Sequence, residues 1–275
     1  MNSLVGIRIV VTRAGHQASA LSAKLSELGA TVIELPTIEI APPENWNSVD
    51  EAITRIDQYD WILLASQNAV QHFMSRWKQN TSSQNYRGNF ATIGPSTTAA
   101  LKQWGIEPAF QPGDSYVSES FIEEFPDYPN LIGHKILWPR TNIGRDVILE
   151  KFVMAGAEID VVEAYRTVIP TDLDSTVASL TELLMKRSID IITVASSQSV
   201  RNLAKILRSA FSLPDREEAA DVRKVLRQTA IISIGPQTTA TAVECLGKCE
   251  GQAEQFTVDG LVEAVLNYVK TNAGT

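Results

Sequence analysis

The feature that most constrains this chain is an internal repeat. Residues 6–13 read GIRIVVTR and residues 133–140 read GHKILWPR, so Arg140 follows Arg13 by 127 residues. The same interval relates LGAT at 28–31 to AGAE at 155–158. DWILLASQNAV at 60–70 returns as DIITVASSQSV at 190–200 after 130 residues, and ATIGPSTTAA at 91–100 returns as ISIGPQTTAT at 232–241 after 141. SESFIEEF at 118–125 and VDGLVEAV at 258–265 close the two copies as helices. Blocks that recur in one order at a long period mark a duplication, in which each copy is a structural unit of its own. The 11 residues that the second copy gains fall in the polar stretch from Pro214 to Arg227, read as a surface insertion.

Within each copy, strand-like runs alternate with helical patterns, the arrangement that builds parallel sheets from βαβ units. Five strands per copy predict an α/β fold of two flavodoxin-like, doubly wound parallel sheets. Gly29 and Gly156 follow the first helix of each copy as left-handed caps, and Gly105 ends a helix around Thr98 to Trp104. Pro36, Pro42, Pro43 and Pro170 punctuate the joins. With 275 residues, 44% of them hydrophobic, each half can bury a core of its own.

Open α/β sheets bind ligands outside the carboxyl ends of their strands. The repeat places small polar residues there four times: Ser66 and Asn68 after Ala65, Ser196 and Ser197 after Ala195, then Gly94-Pro95-Ser96-Thr97 and Gly235-Pro236-Gln237-Thr238. These turns lead into helices, two of them starting near Val70 and Val200. Unpaired N–H groups at a helix start favour a negative charge by about 0.3–1 kcal/mol. Glycine lets the backbone approach closely, and proline suits the first helical position. For any one of these residues a helix cap is the plainer role. As a set they predict an anion-lined cleft between the two copies. Arg13 and Arg140 each follow a first strand, where a guanidinium could clamp a carboxylate or merely sit in an ion pair. Tyr165 stands where the other copy has Ile38, which raises a role beyond packing.

Other chemistries find little footing. A net charge of −8 with no basic run argues against nucleic acid. No apolar run reaches the roughly 20 residues of a membrane helix, and the first residues lack the pattern of an export signal, so a cytoplasmic address is expected. Cys245 and Cys249 lie four apart on what reads as one helix, and His16, His72 and His134 are scattered, so no metal site is expected. Dinucleotide, phosphate-loop, nucleophile-elbow and zinc-protease motifs are missing. A monomer is expected, with transient contact to a pathway neighbour left open.

Seven segments, taken in order, carry a family likeness across essentially the whole chain. They are VTR at 11–13, ASQNAV at 65–70, IGPSTT at 93–98, WPRTNIGRDVI at 138–148, GAEIDVVEAYRT at 156–167, ASSQSVRNL at 195–203 and IGPQTTATAV at 234–243. The set resembles uroporphyrinogen-III synthase, the cyclase of tetrapyrrole biosynthesis. The resemblance implies a discontinuous first domain of residues 1–36 plus 171–275, a second of 41–165, and extended linkers at 37–40 and 166–170. The repeat alone leaves a contiguous split near residue 130 open. The implied substrate is hydroxymethylbilane, an acid-bearing linear tetrapyrrole, and the implied reaction needs no cofactor. Tyr165 matches the tyrosine the family uses to assist departure of the hydroxyl, and Ser196 and Thr238 match positions along the cleft. Ala65, Ala195 and Gln237 depart from the threonines found in family members, which puts individual contacts in doubt. Outside the family, the pattern suits a non-catalytic two-domain protein closing on a small anion, or a nucleotide-sugar transferase of two Rossmann-like halves.

Overall fold

The computed structural model describes residues 3–13, 15–80, 86–113, 115–144, 146–214 and 219–272, excluding the side chains of 15–19. Its strands are β1 (Arg8–Val11), β2 (Thr31–Glu34), β3 (Glu39–Ala41), β4 (Trp61–Leu64), β5 (Asn89–Thr92), β6 (Lys135–Thr141), β7 (Glu158–Val168), β8 (Ile191–Val194), β9 (Ala230–Ser233) and β10 (Gly251–Gln252). Its helices begin with α1 (Gly15–Glu27), α2 (Asn47–Thr54), α3 (Gln67–Gln79), α4 (Pro95–Lys102), α5 (Ser118–Glu124) and α6 (Val147–Met154). They continue with α7 (Asp174–Met185), α8 (Ser197–Ala210), α9 (Ala219–Val225), α10 (Pro236–Leu246) and α11 (Val258–Asn272). The chain divides into two compact units, Met1–Glu39 with Val168–Thr275, and Ile40–Thr167.

The first unit holds a sheet in the order β10-β9-β8-β1-β2, with every neighbouring pair parallel. Strands β8 and β9 are buried along their whole length, as expected of parallel strands covered on both faces. Alternation along the strands sorts the core into two layers. Val10, Ile192, Val194 and Ile231 meet Leu180 and Leu184 of α7 and Leu203 and Leu207 of α8. Ile9, Val11, Ile191 and Ile232 turn the other way, onto Leu21 and Leu25 of α1 and Leu261 and Val265 of α11. Each such fully buried side chain contributes roughly 1.5–3 kcal/mol of burial free energy.

The second unit repeats this logic in the order β3-β7-β6-β4-β5, with β4–β5, β4–β6 and β6–β7 parallel. A further parallel bridge, Ala91 to Phe110, extends the β5 edge. Ile62, Leu64 and Leu137 face Val70, Phe73 and Trp77 of α3. Trp61, Leu63, Ile136 and Trp138 face Phe121 of α5 and Phe152 of α6. The architecture is therefore mixed α/β with two parallel-dominated sheets.

Local expectations met different outcomes. Gly29 and Gly156 take φ of 94° and 95° behind α1 and α6, the backbone that glycine permits at a helix end. The stretch expected as a surface insertion contains α9, which packs on α8 and α10 and buries Val222 completely, with the equally buried Leu226 just after it. Residues 215–218 within that stretch lie outside the described residues. Cys245 and Cys249 do not share a helix: α10 ends at Leu246, Gly247 turns the chain left-handed, and Cys249 lies beyond it, hydrogen-bonded to the carbonyls of Ile231 and Gly251.

Candidate active site

Each unit presents its strand-end turns as a rim, and the local sequence explains their form. In the second unit β4 ends at Leu64, and Ser66 swings to φ −154°, ψ 156° as the N-cap of α3. Its Oγ accepts the Ala69 N–H at 3.1 Å. Ser196 repeats this for α8, with φ −162°, ψ 156° and the Ser199 N–H at 3.1 Å. Both helices thus begin at residues 67 and 197, three residues ahead of the expected starts, because a polar first turn precedes their apolar face. Gly94 and Gly235 are the N-caps of α4 and α10, each followed by proline at the first position.

The two turns of each unit are tied to one another. In the second unit Gln67 Nε2 donates to the Ser96 carbonyl at 3.2 Å. In the first, Ser197 Oγ donates to the Gln237 carbonyl at 3.4 Å, and Thr241 Oγ1 lies 2.8 Å from Ser197 Oγ. A matching hydroxyl relay braces each glycine-proline turn from below. Thr92 and Thr98 hydroxyls lie 2.5 Å apart with Thr98 bonded onward to Gln111; Ser233 and Thr239 lie 2.6 Å apart with Thr239 donating to Gln252 at 2.7 Å. Asn68, Ser96 and Gln237 are exposed on these rims, whereas Thr97 and Thr238 are buried.

Tyr165 reaches its place through a bulge. The β6–β7 register runs from Arg140↔Glu163 to Thr141↔Tyr165, leaving Ala164 as the extra residue. Strict alternation would point neighbours 164 and 165 to opposite faces, yet Val162, Ala164 and Tyr165 all join the core layer under α3. An extra residue re-aims a side chain in this way, and bulges recur beside active sites. The Tyr165 hydroxyl then lies 3.0 Å from Ser66 Oγ, while its ring stacks on His72 with centroids 5.8 Å apart and planes 23° from parallel. Only 7% of Tyr165 is exposed.

The arginines sit differently: Arg13 lies past the end of β1 as expected, whereas Arg140 is inside β6 and not after it. Arg140 is already engaged: Nη1 donates to Asp146 Oδ1 at 2.6 Å, Nε donates to the Thr141 carbonyl at 3.2 Å, and the guanidinium lies over the Trp138 ring at 4.4 Å. The ion-pair role is thus the one the fold supplies. Arg13 is half-buried at the end of β1, and burial pushes its guanidinium below the usual pKa. The residue before it is fixed by a buried network invisible in the sequence. Thr12 Oγ1 donates to the Thr193 carbonyl at 2.8 Å, Ser199 Oγ lies 2.8 Å from the hydroxyls of both Thr12 and Thr37, and Asn202 Nδ2 donates to the Thr37 carbonyl at 2.7 Å.

His72 also went unsingled in the sequence, and it carries a pH signature. Burial holds its imidazole below the ordinary pKa. The unfolded chain then takes up a proton before the folded one does, so this stability is complete above about pH 6.5 and declines as pH falls through that value. Urea unfolding at about pH 7.5 and about pH 5.5 should show a smaller acid loss for His72→Gln than for the parent. An equal loss would remove His72 as a source of it.

Comparison with known proteins adds the decisive observation. Residues 19–263 match the family model described as Uroporphyrinogen-III synthase HemD. The chain belongs to the uroporphyrinogen-III synthase family. The uroporphyrinogen-III synthase of Synechococcus elongatus is 34% identical over 97% of this chain and 97% of its own. A putative uroporphyrinogen-III synthase of Methanothermobacter thermautotrophicus is 27% identical over 94% of this chain and 96% of its own. Among solved structures, a mutant uroporphyrinogen III synthase from Thermus thermophilus aligns with a TM-score of 0.64 at 14% identity, covering 97% of this chain and 100% of that one. The Helicobacter pylori protein aligns at 0.58 and 13% identity, covering 95% and 99%. These two likenesses establish the family's fold for this chain, a mixed α/β architecture. Among the described residues, no helix is long and apolar enough to cross a membrane.

Proposed function

We propose that this chain cyclises hydroxymethylbilane to uroporphyrinogen III, with loss of water and inversion of the terminal ring, in tetrapyrrole biosynthesis. The observation that carries this reading is family likeness along the whole chain, with 34% identity spanning 97% of it. The reaction is redox-neutral and its leaving group is water, so substrate and side chains balance it without a cofactor. A cytoplasmic monomer with the domain exchange expected from the sequence belongs to the same reading. That exchange is supported by the two units' strand orders, each of which places the first βαβ pair of one copy beside the later strands of the other. The matching hydroxyl relays under the glycine-proline turns support the duplication.

The chemistry assigns roles in sequence. The carboxylates of the substrate engage the helix-start amides of α3, α4, α8 and α10 together with the rim residues Asn68, Ser96, Ser197 and Gln237. Arg13 adds positive charge at the β1 end, and Ser196, Thr97 and Thr238 hold the turns in shape. Arg140, paired with Asp146, serves the same rim by fixing the segment after β6. The Tyr165 hydroxyl, oriented by Ser66, donates its proton to the departing hydroxyl, which leaves as water and generates an electron-deficient azafulvenium cation. The far pyrrole attacks through a spiro intermediate, the terminal ring inverts, and the carbon proton shed on closure returns to the phenolate. Unaided closure proceeds without inversion, so the enzyme's task is to hold a folded conformer that favours the spiro route.

The test is direct. Purified protein given fresh hydroxymethylbilane, with products oxidised and resolved by chromatography, should yield the type III isomer well above the spontaneous background. Type I alone, at the spontaneous rate, would overturn the reading.

A further inference from the structure

Two aromatic rings stand exposed at places that correspond between the units. Among the described residues, Tyr116 (48% exposed) and Phe256 (63%) are the aromatic members of the exposed large hydrophobics. Each lies two residues before a closing helix, since α5 begins at Ser118 and α11 at Val258. Each also stands against the glycine of a glycine-proline turn. A Cβ built on Gly94 would lie 3.7 Å from the Tyr116 Cβ and 4.0 Å from its Cγ. A Cβ built on Gly235 would lie 3.0 Å from Phe256 Cδ1 and 3.3 Å from Cε1. At residue 235 the backbone is extended, with φ 174°, so glycine is not needed there for its torsions. It is needed for room, because the bare backbone is what lets the phenyl ring lie so close.

Leaving two aromatic rings in water forfeits burial free energy, and a ring held against a rim turn is placed for a ligand face. Under the function proposed above, the ligand is a string of flat, electron-rich pyrroles. Pyrrole rings find offset or edge-on partners in aromatic side chains, and a phenyl and a phenol both supply such a face. A repeating ligand matches a repeated ring. We propose that Tyr116 and Phe256 are substrate-binding residues, each packing its ring against one pyrrole of hydroxymethylbilane. They bind the rings while the turns beside them bind the acid groups, a division that holds the chain by both its faces and its edges.

Steady-state kinetics on hydroxymethylbilane tests this. Tyr116→Ala and Phe256→Ala should each raise KM about fivefold to tenfold with kcat within about twofold, the worth of one aromatic contact. Tyr116→Phe and Phe256→Tyr should keep the parent KM, and melting temperatures should be unchanged throughout because both rings are exposed. The parent's product is measured in the same series. Parent turnover to the type III isomer combined with an unmoved KM in both alanine variants overturns the ring-binding role while the enzymatic reading stands. A parent that gives only type I overturns the enzymatic reading instead. A KM increase fully restored by Tyr116→Leu and Phe256→Leu would mean apolar contact without ring packing, and would overturn the stacking assignment.

Discussion

Replacing Tyr165 by phenylalanine should lower kcat about a hundredfold, the low end of what a positioned proton donor contributes, and leave KM and the melting profile near the parent's. The substitution is clean because of how the residue is held. The ring lies in the core layer under α3 and stacks on His72, and phenylalanine preserves both contacts. What disappears is the hydroxyl 3.0 Å from Ser66 Oγ. Ser66 keeps the Ala69 N–H and therefore its capping role. A companion variant separates donor from positioner. Ser66→Ala should cost about 1 kcal/mol of stability through the lost cap and lower kcat less than Tyr165→Phe does, because the phenol survives without its guide. The measurement is single-turnover and steady-state conversion of hydroxymethylbilane, with the isomer ratio recorded. As enzymatic closure slows, spontaneous closure takes a larger share, so the type III fraction should fall together with kcat. A Tyr165→Phe enzyme with parental kcat would remove this residue from the chemistry.

Much of the fold was legible because it rests on periodic features. The runs ILL at 62–64 and II at 191–192 are apolar on both faces, as covered parallel strands must be, and both are fully buried in β4 and β8. Gly29 and Gly156 announced their helix ends because a left-handed residue has few alternatives to glycine. The misses share a physical cause, which is that local pattern reports neighbours along the chain and little else. Helices α3 and α8 start before their apolar faces do, since Ser66 and Ser196 cap first turns made of Gln67-Asn68 and Ser197-Gln198. Helix α9 hides in a polar stretch because one buried side chain within it, Val222, and Leu226 just after it are enough to anchor so short an element. Tyr165 was singled out by contrast with Ile38, but its partners were not: Ser66 lies 99 residues away in sequence, and the bulge at Ala164 has no local signature. Arg13 and Arg140 looked alike because the repeat aligns them; the fold separates them, with Arg13 past the end of β1 and Arg140 inside β6, where Asp146 reaches it. Tyr116 and Phe256 could have been found earlier, since their shared offset from the closing helices is readable from the repeat.

Gly260→Ala should destabilise the first unit by about 3 kcal/mol, the upper range for overpacking a core, against the usual direction of that substitution in a helix. At an open helical site, alanine in place of glycine gains up to about 1 kcal/mol from propensity and unfolded-state entropy. Gly260 is not an open site. It is buried in the first turn of α11, and a Cβ there would fall 2.1 Å from the Gln255 carbonyl oxygen and 2.9 Å from its carbon. The obstacle is backbone, so no side-chain rotation relieves it. That carbonyl also accepts the Thr257 N–H at 2.8 Å, while the Thr257 hydroxyl accepts the Gly260 N–H at 3.1 Å and its carbonyl accepts Leu261 N–H at 3.0 Å. A methyl group must therefore push apart the turn of residues 255–257 and the helix start that it caps, pulling Leu261 and Val265 from the layer they form with Ile9 and Val11. Gly113→Ala is the matched control, because its Cβ would meet only the flexible Glu124 carboxylate at 3.7 Å. Urea unfolding of both variants decides the matter: the midpoint should drop clearly for Gly260→Ala and stay at the parent value for Gly113→Ala. A Gly260→Ala protein as stable as the parent would mean that residues 255–257 yield freely, and that the turn carrying Phe256 is not held by the helix behind it.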